Sequence, residues 1–240
     1  DPFEVSDAAT VLAYVKAQGY SAFSAPATIA EGERVPDVTF KTRARTAEKS
    51  DNPFDWRDTT TADWFKGKRV VLFALPGAFT PTCSTFQLPQ YEKAYAEFQA
   101  SGIDDVYCLS VNDAFVMRQW GLAQGLPEDK SVGSLGFQNV KLIPDGAALF
   151  TRGMGMACHW GSERGFGERS WRYACVVEDG VVKKLFVEQP RLENSGPDPF
   201  EVSDAATVLA YVKAQGFSGG EPDAKRTGAL SGTLGHYATP

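Results

Sequence analysis

Residues 69–83 read RVVLFALPGAFTPTC, and this stretch decides how the middle of the chain folds. Its first seven residues form a nearly continuous apolar run, which is typical of a strand buried on both faces of a sheet. A loop with two prolines and a glycine follows. Cys83 then opens a predicted helix that spans 84–99 and is ended by Gly102. A buried strand, a stiff loop and a helix N-terminus therefore meet at one cysteine.

Cys83 occupies a position that favours a negatively charged sulfur. The unpaired backbone N–H groups and the dipole of a helix N-terminus stabilise an anion, and the thiolate is the reactive form of cysteine. Thr80 can place its hydroxyl beside the sulfur, while Pro76 and Pro81 stiffen the loop and remove N–H donors. The alternative is a structural cysteine at the end of a loop, but the context of residues 76–83 favours a nucleophile.

Strands and helices alternate around this stretch. The other predicted elements are an extended segment at 31–43, a short helix at 59–65, a buried strand at 106–111, a helix at 113–124 and a closing helix at 202–216. Two turn signals, Pro-Asp-Gly at 144–146 and Glu-Asp-Gly at 178–180, predict antiparallel hairpins of 140–143 with 147–151 and of 171–177 with 181–187. We predict an α/β protein with a thioredoxin-like fold, in which helices flank a central mixed sheet.

Arg172 is the predicted cation for the thiolate. Residues 170–177 read SWRYACVV, and strand alternation puts Arg172 on the same face as Ala174 and Val176. An arginine in a mostly apolar strand is costly unless it is paired, and a thiolate with a polarised substrate oxygen would supply that partner. The alternative is an edge-strand arginine whose head reaches solvent.

Bulk properties narrow the classes of partner. The chain has 240 residues and a net charge of -6, which gives no electrostatic reason to expect nucleic acid or an anionic membrane. No apolar run is long enough to span a bilayer. The four cysteines, at 83, 108, 158 and 175, form no C-x-x-C, and there are only two histidines, so we predict no metal site. We expect the cysteines to be reduced, in a reducing compartment.

The chain contains an internal repeat, with one copy near each end of the sequence. Residues 1–20 recur at 198–217 with Tyr20 changed to Phe217 as the single difference. Each copy predicts an amphipathic helix with Ser6 or Ser203 as N-cap. We divide the chain into 1–30, the first copy and a linker; 31–217, the enzyme-like domain; and 218–240, a flexible tail or linker.

Two explanations of the repeat stay open. Either the chain is one unit of a tandem array, cut so that the last helix of one unit precedes the next, or the extra helix docks on another subunit and drives assembly.

The stretch from about 31 to 216 resembles the type-II (atypical, peroxiredoxin-5-like) peroxiredoxins over nearly its whole length. The blocks that carry the resemblance are VPDVTFKTR (35–43), FKGKRVVLFALPGAFTPTCS (65–84), CLSVNDAFVM (108–117), VKLIPDG (140–146), RSWRYACVVEDG (169–180) and DPFEVSDA (198–205). The P-x-x-x-T-x-x-C element of the second block is highly specific.

The resemblance implies a thioredoxin fold, no metal and no organic cofactor. The family's peroxidatic cysteine matches Cys83, its active-site threonine Thr80, its proline Pro76 and its strand arginine Arg172. The implied reaction is attack of the thiolate on hydrogen peroxide or an alkyl hydroperoxide to give a sulfenic acid. Thr80, Arg172 and the backbone N–H of Cys83 would hold the peroxide and stabilise the leaving oxygen.

The residue that would reduce the sulfenic acid of Cys83 is less clearly indicated. Cys108 matches the position of a second cysteine in many plant and bacterial members of the family, where it can resolve the sulfenic acid, but it also lies mid-strand like an inert core residue. The region 188–199 lacks the C-terminal resolving cysteine of the animal members. The resemblance therefore implies reduction by an external thiol, either glutathione with glutaredoxin or thioredoxin.

Other functions fit less well. A dithiol oxidoreductase would need C-x-x-C, and a cysteine protease a nearby histidine. The serious alternative is a redox-sensing or scaffolding subunit of a larger assembly, suggested by the repeat. We expect a homodimer, or a larger assembly through the repeated helix, in the cytoplasm. An organelle lumen, such as the chloroplast stroma or mitochondrial matrix after removal of a targeting segment, is the alternative.

Overall fold

A five-stranded mixed sheet lies at the centre of the computed structural model, which describes residues 27–47, 52–159, 165–189 and 198–216. The strands in chain order are β1 (Thr39–Arg45), β2 (Phe54–Thr60), β3 (Arg69–Leu75), β4 (Asp105–Ser110), β5 (Lys141–Pro144), β6 (Ala157–His159), β7 (Glu168–Ser170), β8 (Tyr173–Glu178) and β9 (Val181–Val187). The helices are α1 (Thr61–Phe65), α2 (Leu88–Ala100), α3 (Ala114–Ala123), α4 (Leu149–Gly153) and α5 (Ala205–Ala214), with a π-helical turn at Cys83–Gln87.

The central sheet has the strand order β5-β4-β3-β8-β9. Strands β3, β4 and β5 are parallel, whereas β8 runs antiparallel to β3 and β9 antiparallel to β8. Because β3 is the middle strand, its side chains are buried on both sides from Val70 to Leu75. The predicted α/β fold with a central mixed sheet is therefore confirmed, as is the hairpin formed by β8 and β9.

Each face of the sheet carries its own apolar core. Val71 and Phe73 of β3 pack with α2, α3 and α5 in a first cluster, which also contains Cys83. Leu72 and Ala74, which point the other way, pack with α1, α4 and the N-terminal segment around Ile29 in a second cluster. The alternation of side chains along a strand separates the two clusters, so helices cover both faces as predicted.

The hairpin predicted around Pro-Asp-Gly at 144–146 is wrong. Strand β5 pairs with β4 in parallel, and the residues that follow it form helix α4 instead of a returning strand. The physical reason is Asp145, whose buried carboxylate accepts hydrogen bonds from the N–H groups of Phe150 and Thr151 at 3.2 and 2.8 Å. A side chain that satisfies these amides stabilises a helical turn rather than a strand.

A hairpin that the sequence analysis did not predict lies before β3. Strand β1 pairs with β2 in antiparallel register, and α1 starts directly after β2. Thr60 caps α1: its hydroxyl accepts from the Asp63 N–H, and the Asp63 carboxylate accepts from the Thr60 N–H. This reciprocal capping box fixes the start of the short helix, which was predicted within two residues.

Helix α5 starts at Ala205, three residues after the predicted start, and its N-cap lies one residue later than predicted. Its N-cap is Asp204, whose carboxylate accepts from the Ala206 and Thr207 N–H groups, so the predicted N-cap, Ser203, is wrong. Ser203 instead donates its N–H and hydroxyl to the carboxylate of Glu188 at 2.8 and 2.7 Å. The N–H groups of Glu201 and Val202 donate to the same carboxylate. Glu188 is 1% exposed and anchors the segment before α5.

We expect Glu188→Gln to destabilise the fold by about 2–3 kcal/mol, because hydrogen bonds to a charged acceptor are lost and a side-chain amide nitrogen cannot accept. Thermal and urea unfolding followed by circular dichroism measure the change. The matched control is Glu201→Gln, the same substitution at an exposed residue of the same segment, which is expected to change stability by less than about 0.5 kcal/mol. Equal stability of the two variants would contradict the anchoring role.

The first copy of the repeat, at 1–20, and the tail at 218–240 lie outside the described residues. Among the helices of the described ranges, none has the length and apolarity to cross a bilayer.

Candidate active site

Cys83 lies at the point where the loop after β3 becomes helical. The Ser84 N–H donates to the Thr80 carbonyl at 3.0 Å, and the Leu88 N–H donates to the carbonyl of Cys83, five residues back. This wide π-helical turn comes before the regular helix α2. The Cys83 side chain has no exposed surface and belongs to the first core cluster. The predicted position of the cysteine, at the start of a helix, is confirmed.

The loop between β3 and Cys83 is held from the end of the neighbouring strand. The Asn112 side-chain oxygen accepts from the Ala78 N–H at 3.0 Å and from the Ser110 hydroxyl at 2.7 Å. Phe79 has a positive φ of 66°, which is a strained conformation for an aromatic residue, and it is 56% exposed. Pro76, at the start of the loop, is buried. The loop is thus fixed on its inner side and presents an apolar ring outward.

The hydroxyl of Thr80 bonds within the loop. It donates to the Gly77 carbonyl at 2.8 Å, so its single proton is not directed at the Cys83 sulfur. Its oxygen keeps lone pairs that can accept a hydrogen bond. The sequence analysis predicted a hydroxyl beside the sulfur that bonds either the sulfur or an incoming oxygen, and the proton position favours the second.

Arg172 and Cys83 are in direct contact. The Arg172 Nη1 lies 3.4 Å from the Cys83 sulfur, and the guanidinium is 1% exposed. The arginine precedes β8, and Ala174 and Val176 share the core cluster of Cys83, so the predicted face is confirmed. Burial disfavours the charged guanidinium, yet the negative partners Cys83 and Asp198 outweigh it and raise the pKa of Arg172. The cation is therefore held next to the sulfur.

Two further side chains hold the guanidinium, and the sequence analysis missed both. Nη1 of Arg172 donates to the side-chain oxygen of Gln87, and Nη2 donates to the carboxylate of Asp198. The Phe200 ring lies 5.6 Å from the same group. Gln87 follows Cys83 by four residues, which places both on one helix face, so spacing was a usable signal. Nothing local signals Asp198, because its segment reaches the site from the far end of the chain.

Some polar atoms of this site have no protein partner within the described residues. They are the Nε of Arg172 and the Nε2 of Gln87, which are both buried. Buried donors are costly unless they are satisfied. The two side chains therefore keep donor capacity that no protein group of the described residues uses.

Cys108 lies in the first core cluster, as does Cys83, but on the inner strand β4 opposite Phe73 of β3. Burial, with a further contribution from Cys83, raises the pKa of the Cys108 thiol well above its usual range, although Arg172 lowers it slightly. Cys175 lies on the other face, and burial alone raises the pKa of its thiol. Neither has the features of an activated thiol. Across the ranges that the structure describes, no three histidine, cysteine or carboxylate side chains cluster as metal ligands would.

Known proteins match this chain over most of its length. Residues 30–209 match the family described as Redoxin. A peroxiredoxin from Rhizobium etli is 53% identical over 186 residues, covering 77% of this chain and 97% of the relative. Hybrid peroxiredoxin hyPrx5 from Haemophilus influenzae is 46% identical, covering 77% of this chain and 67% of its own length. The crystal structure of reduced Prx3 from Vibrio vulnificus in complex with hydrogen peroxide is 35% identical, with a TM-score of 0.63, and covers 79% of this chain and 99% of that one.

Proposed function

Because the chain belongs to the type-II, peroxiredoxin-5-like class of the peroxiredoxins, a family of thiol peroxidases, we propose that Cys83 is its peroxide-attacking residue and that hydrogen peroxide and alkyl hydroperoxides are its substrates. The observation that carries the proposal is the 3.4 Å contact between the Arg172 Nη1 and the Cys83 sulfur in a site closed to solvent. A buried cation beside a thiol favours the nucleophilic thiolate over the thiol.

The proposed step is an in-line displacement. The Cys83 thiolate attacks one peroxide oxygen, so that a sulfur–oxygen bond forms while the oxygen–oxygen bond breaks. The sulfur is oxidised to a sulfenic acid, and the departing hydroxide or alkoxide takes up a proton to become water or an alcohol. Charge therefore moves from the sulfur to the leaving oxygen. A catalyst for this step needs donors at both positions.

Three residues around Cys83 are proposed to form the peroxide pocket, and one of them, Arg172, supplies donors. Arg172 stabilises the thiolate and then the charge on the leaving oxygen, since its guanidinium presents several donors in a fixed plane. The Thr80 oxygen, whose proton is used by Gly77, accepts the O–H of the bound peroxide. Pro76, buried at the start of the loop, closes the pocket without adding an N–H donor. The N–H of Cys83 is proposed as a further donor.

Gln87 and Asp198 act as positioning residues in this proposal. Each bonds one terminal nitrogen of Arg172, so the plane of the guanidinium is set from two directions. A group held in this way needs little rearrangement when charge develops on the substrate.

We propose that an external thiol recycles the sulfenic acid. The first thiol condenses with the sulfenic acid to give a mixed disulfide and water, and a second thiol releases the Cys83 thiol and a reductant disulfide. Glutathione with glutaredoxin and thioredoxin are the two candidate reductants. The position of Cys108, mid-strand in the core with its thiol protonated, favours a structural role for it.

We expect Cys108→Ser to consume peroxide at the wild-type rate with both reductants, while dimedone trapping and mass spectrometry place the sulfenic acid of both proteins on Cys83. The substitution buries a hydroxyl in an apolar cluster and costs about 1–3 kcal/mol of stability. Cys175→Ser is the matched control, because it makes the same change in the core of the opposite face. A Cys108→Ser enzyme that forms the sulfenic acid but fails to turn over would identify Cys108 as the resolving residue.

Homodimerisation and cytoplasmic location remain predictions. Phe79 and Phe86, which flank Cys83 in sequence, are 56% and 53% exposed, and exposed aromatic side chains beside a functional loop support a protein partner there. Cys83, Cys108 and Cys175 are free thiols, which suits a reducing compartment.

A further inference from the structure

The segment from Asp198 to Gly216 docks on the rest of the protein through a defined groove. Five residues contact the segment, and together they are called the docking groove: Tyr91, Glu97, Arg172, Phe186 and Glu188. Glu188 and Arg172 bind the first residues of the segment through the hydrogen bonds described above. The Tyr91 hydroxyl donates to the Ser203 carbonyl at 2.8 Å, and the Phe186 ring packs edge-on against the Tyr211 ring. The Glu97 carboxylate lies 2.7 Å from the Lys213 Nζ.

Helix α5 adds an apolar face to these contacts. Its buried residues are Ala205, Val208, Leu209 and Val212, and they belong to the same core cluster as α2. The segment therefore has a charged anchor at one end, an apolar face in the middle and an ion pair at the other end, and these contacts define one register between Asp198 and Lys213. The groove is therefore specific for a sequence and not only for an apolar helix.

Residues 1–19 carry this same sequence without a single change. Every segment side chain that contacts the docking groove has an identical counterpart in the first copy. The buried Leu209 corresponds to Leu12 and the ion-pairing Lys213 to Lys16. Because complementarity resides in these side chains, the groove offers both copies the same contacts. It holds one copy at a time, since both need the same carboxylate and the same apolar surface.

The described part of the chain begins on the face of the sheet opposite the docking groove. Ile29 packs in the second core cluster, and its N–H donates to the Met154 carbonyl at 3.0 Å. The docking groove lies on the opposite face of the sheet, with the first cluster. Residues 21–28 connect the first copy to Ile29, and the nine Cα–Cα steps from residue 20 to residue 29 reach about 30 Å when fully extended. A sheet with one layer packed about 10 Å away on each side is about 20 Å thick, so docking on the same chain uses most of this reach to pass around the sheet edge.

We propose that the docking groove of one chain binds residues 1–20 of a second copy of the chain, in place of that groove's own segment 198–216. The exchange replaces one set of contacts by an identical set, so the contact free energy cancels. The segment of the same chain has the advantage of its tether, which corresponds to an effective concentration on the order of millimolar. Binding of the second copy therefore increases with protein concentration and whenever the resident segment is weakened. The incoming copy brings Asp1 to the place of Asp198 beside Arg172, so an exchanged site keeps its carboxylate.

Zero-length carbodiimide cross-linking tests the proposal on the full chain. Glu97 and Lys213 are close enough to be joined, and the equivalent product of an incoming copy joins Glu97 to Lys16. The two products are distinguishable by mass, because Tyr20 follows one copy and Phe217 the other. A mixture of isotopically light and heavy chains separates products between chains from those within a chain.

In the wild type we expect light-to-heavy products of Lys16 with Glu97 that increase with protein concentration. In Leu209→Asp, which weakens only the resident segment, their yield is expected to rise at least about tenfold. The matched variant Leu12→Asp makes the same change in the first copy. Leu12→Asp should reduce the Lys16–Glu97 products to background, both alone and in combination with Leu209→Asp. As a single substitution it should leave the Lys213–Glu97 product unchanged.

Two results would overturn the proposal. One is the lack of any Lys16–Glu97 product in the wild type at the highest concentration and in a Leu209→Asp protein whose circular dichroism is native. The other is the formation of this product only within single chains, which would place the first copy in its own groove. The concentration series on the wild type keeps the test decisive if Leu209→Asp does not fold. Neither readout depends on peroxidase activity.

Discussion

Replacing Cys83 by serine is expected to lower kcat/KM for hydrogen peroxide by about 10³-fold or more, the scale seen when a catalytic nucleophile is deleted. A serine hydroxyl is smaller than the thiol that it replaces and stays protonated at neutral pH, and it cannot be oxidised to a sulfenic acid. Peroxide consumption with each reductant in excess measures the loss.

The control for this variant must reproduce its effect on the core. Cys83 has no exposed surface, so serine places a hydroxyl among apolar side chains. Cys175→Ser makes the same change at a residue that is equally buried and lies on the opposite face of the sheet. Wild-type turnover is expected of a folded Cys175→Ser protein. Peroxidase activity that survives in Cys83→Ser would show that another residue attacks the peroxide.

Arg172→Gln is expected to lower kcat/KM by about 10²–10³-fold, which is the cost of removing a preorganised donor from a developing negative charge. The same substitution leaves the Asp198 carboxylate without its cation. Breaking a buried ion pair costs about 3–5 kcal/mol, so the thermal midpoint should fall as well. Activity alone therefore does not separate a catalytic arginine from a structural one.

The double variant Arg172→Gln with Asp198→Asn separates the two roles. It replaces the ion pair by two neutral amides of similar size and so removes the uncompensated charge. We expect the thermal midpoint to recover most of its loss while kcat/KM stays low. If the double variant regains peroxidase activity together with stability, Arg172 acts only through the fold. For Arg172→Lys we expect a kcat/KM between that of the wild type and that of Arg172→Gln. A single ammonium keeps the positive charge but cannot bond Gln87, Asp198 and the sulfur in one plane.

The central sheet and the position of the cysteine could be predicted from local patterns. The apolar run of β3 and the loop after it form one continuous stretch, and their physical signals do not depend on the rest of the chain. The alternation around Arg172 identified its face for the same reason. The turn after β5 was predicted incorrectly, because Pro-Asp-Gly suits both a hairpin and a capped helix, and the choice depends on the burial of Asp145.

The outer part of the site could not be predicted, because it is assembled by tertiary contacts. Asp198 reaches Arg172 only because Glu188 fixes the residues that follow, and that anchor joins backbone amides to a side chain from another element. Ser203 shows the same limit on a smaller scale. Its sequence context is that of an N-cap, yet its hydroxyl donates to the buried carboxylate of Glu188, and Asp204 is the N-cap.

The complete burial of Cys83 limits which molecules can reach its sulfur. Hydrogen peroxide is a small molecule, whereas a thiol reductant is bulkier, and a protein reductant must bring its own backbone up to the sulfur. The five-residue π-helical turn lies between a strained loop residue and a regular helix, and such turns are uncommon and occur frequently at functional sites. We expect a thiol reductant to reach the Cys83 sulfur only when this turn unwinds. Opening of the turn would then limit the reduction of the oxidised sulfur, whichever thiol serves as the reductant.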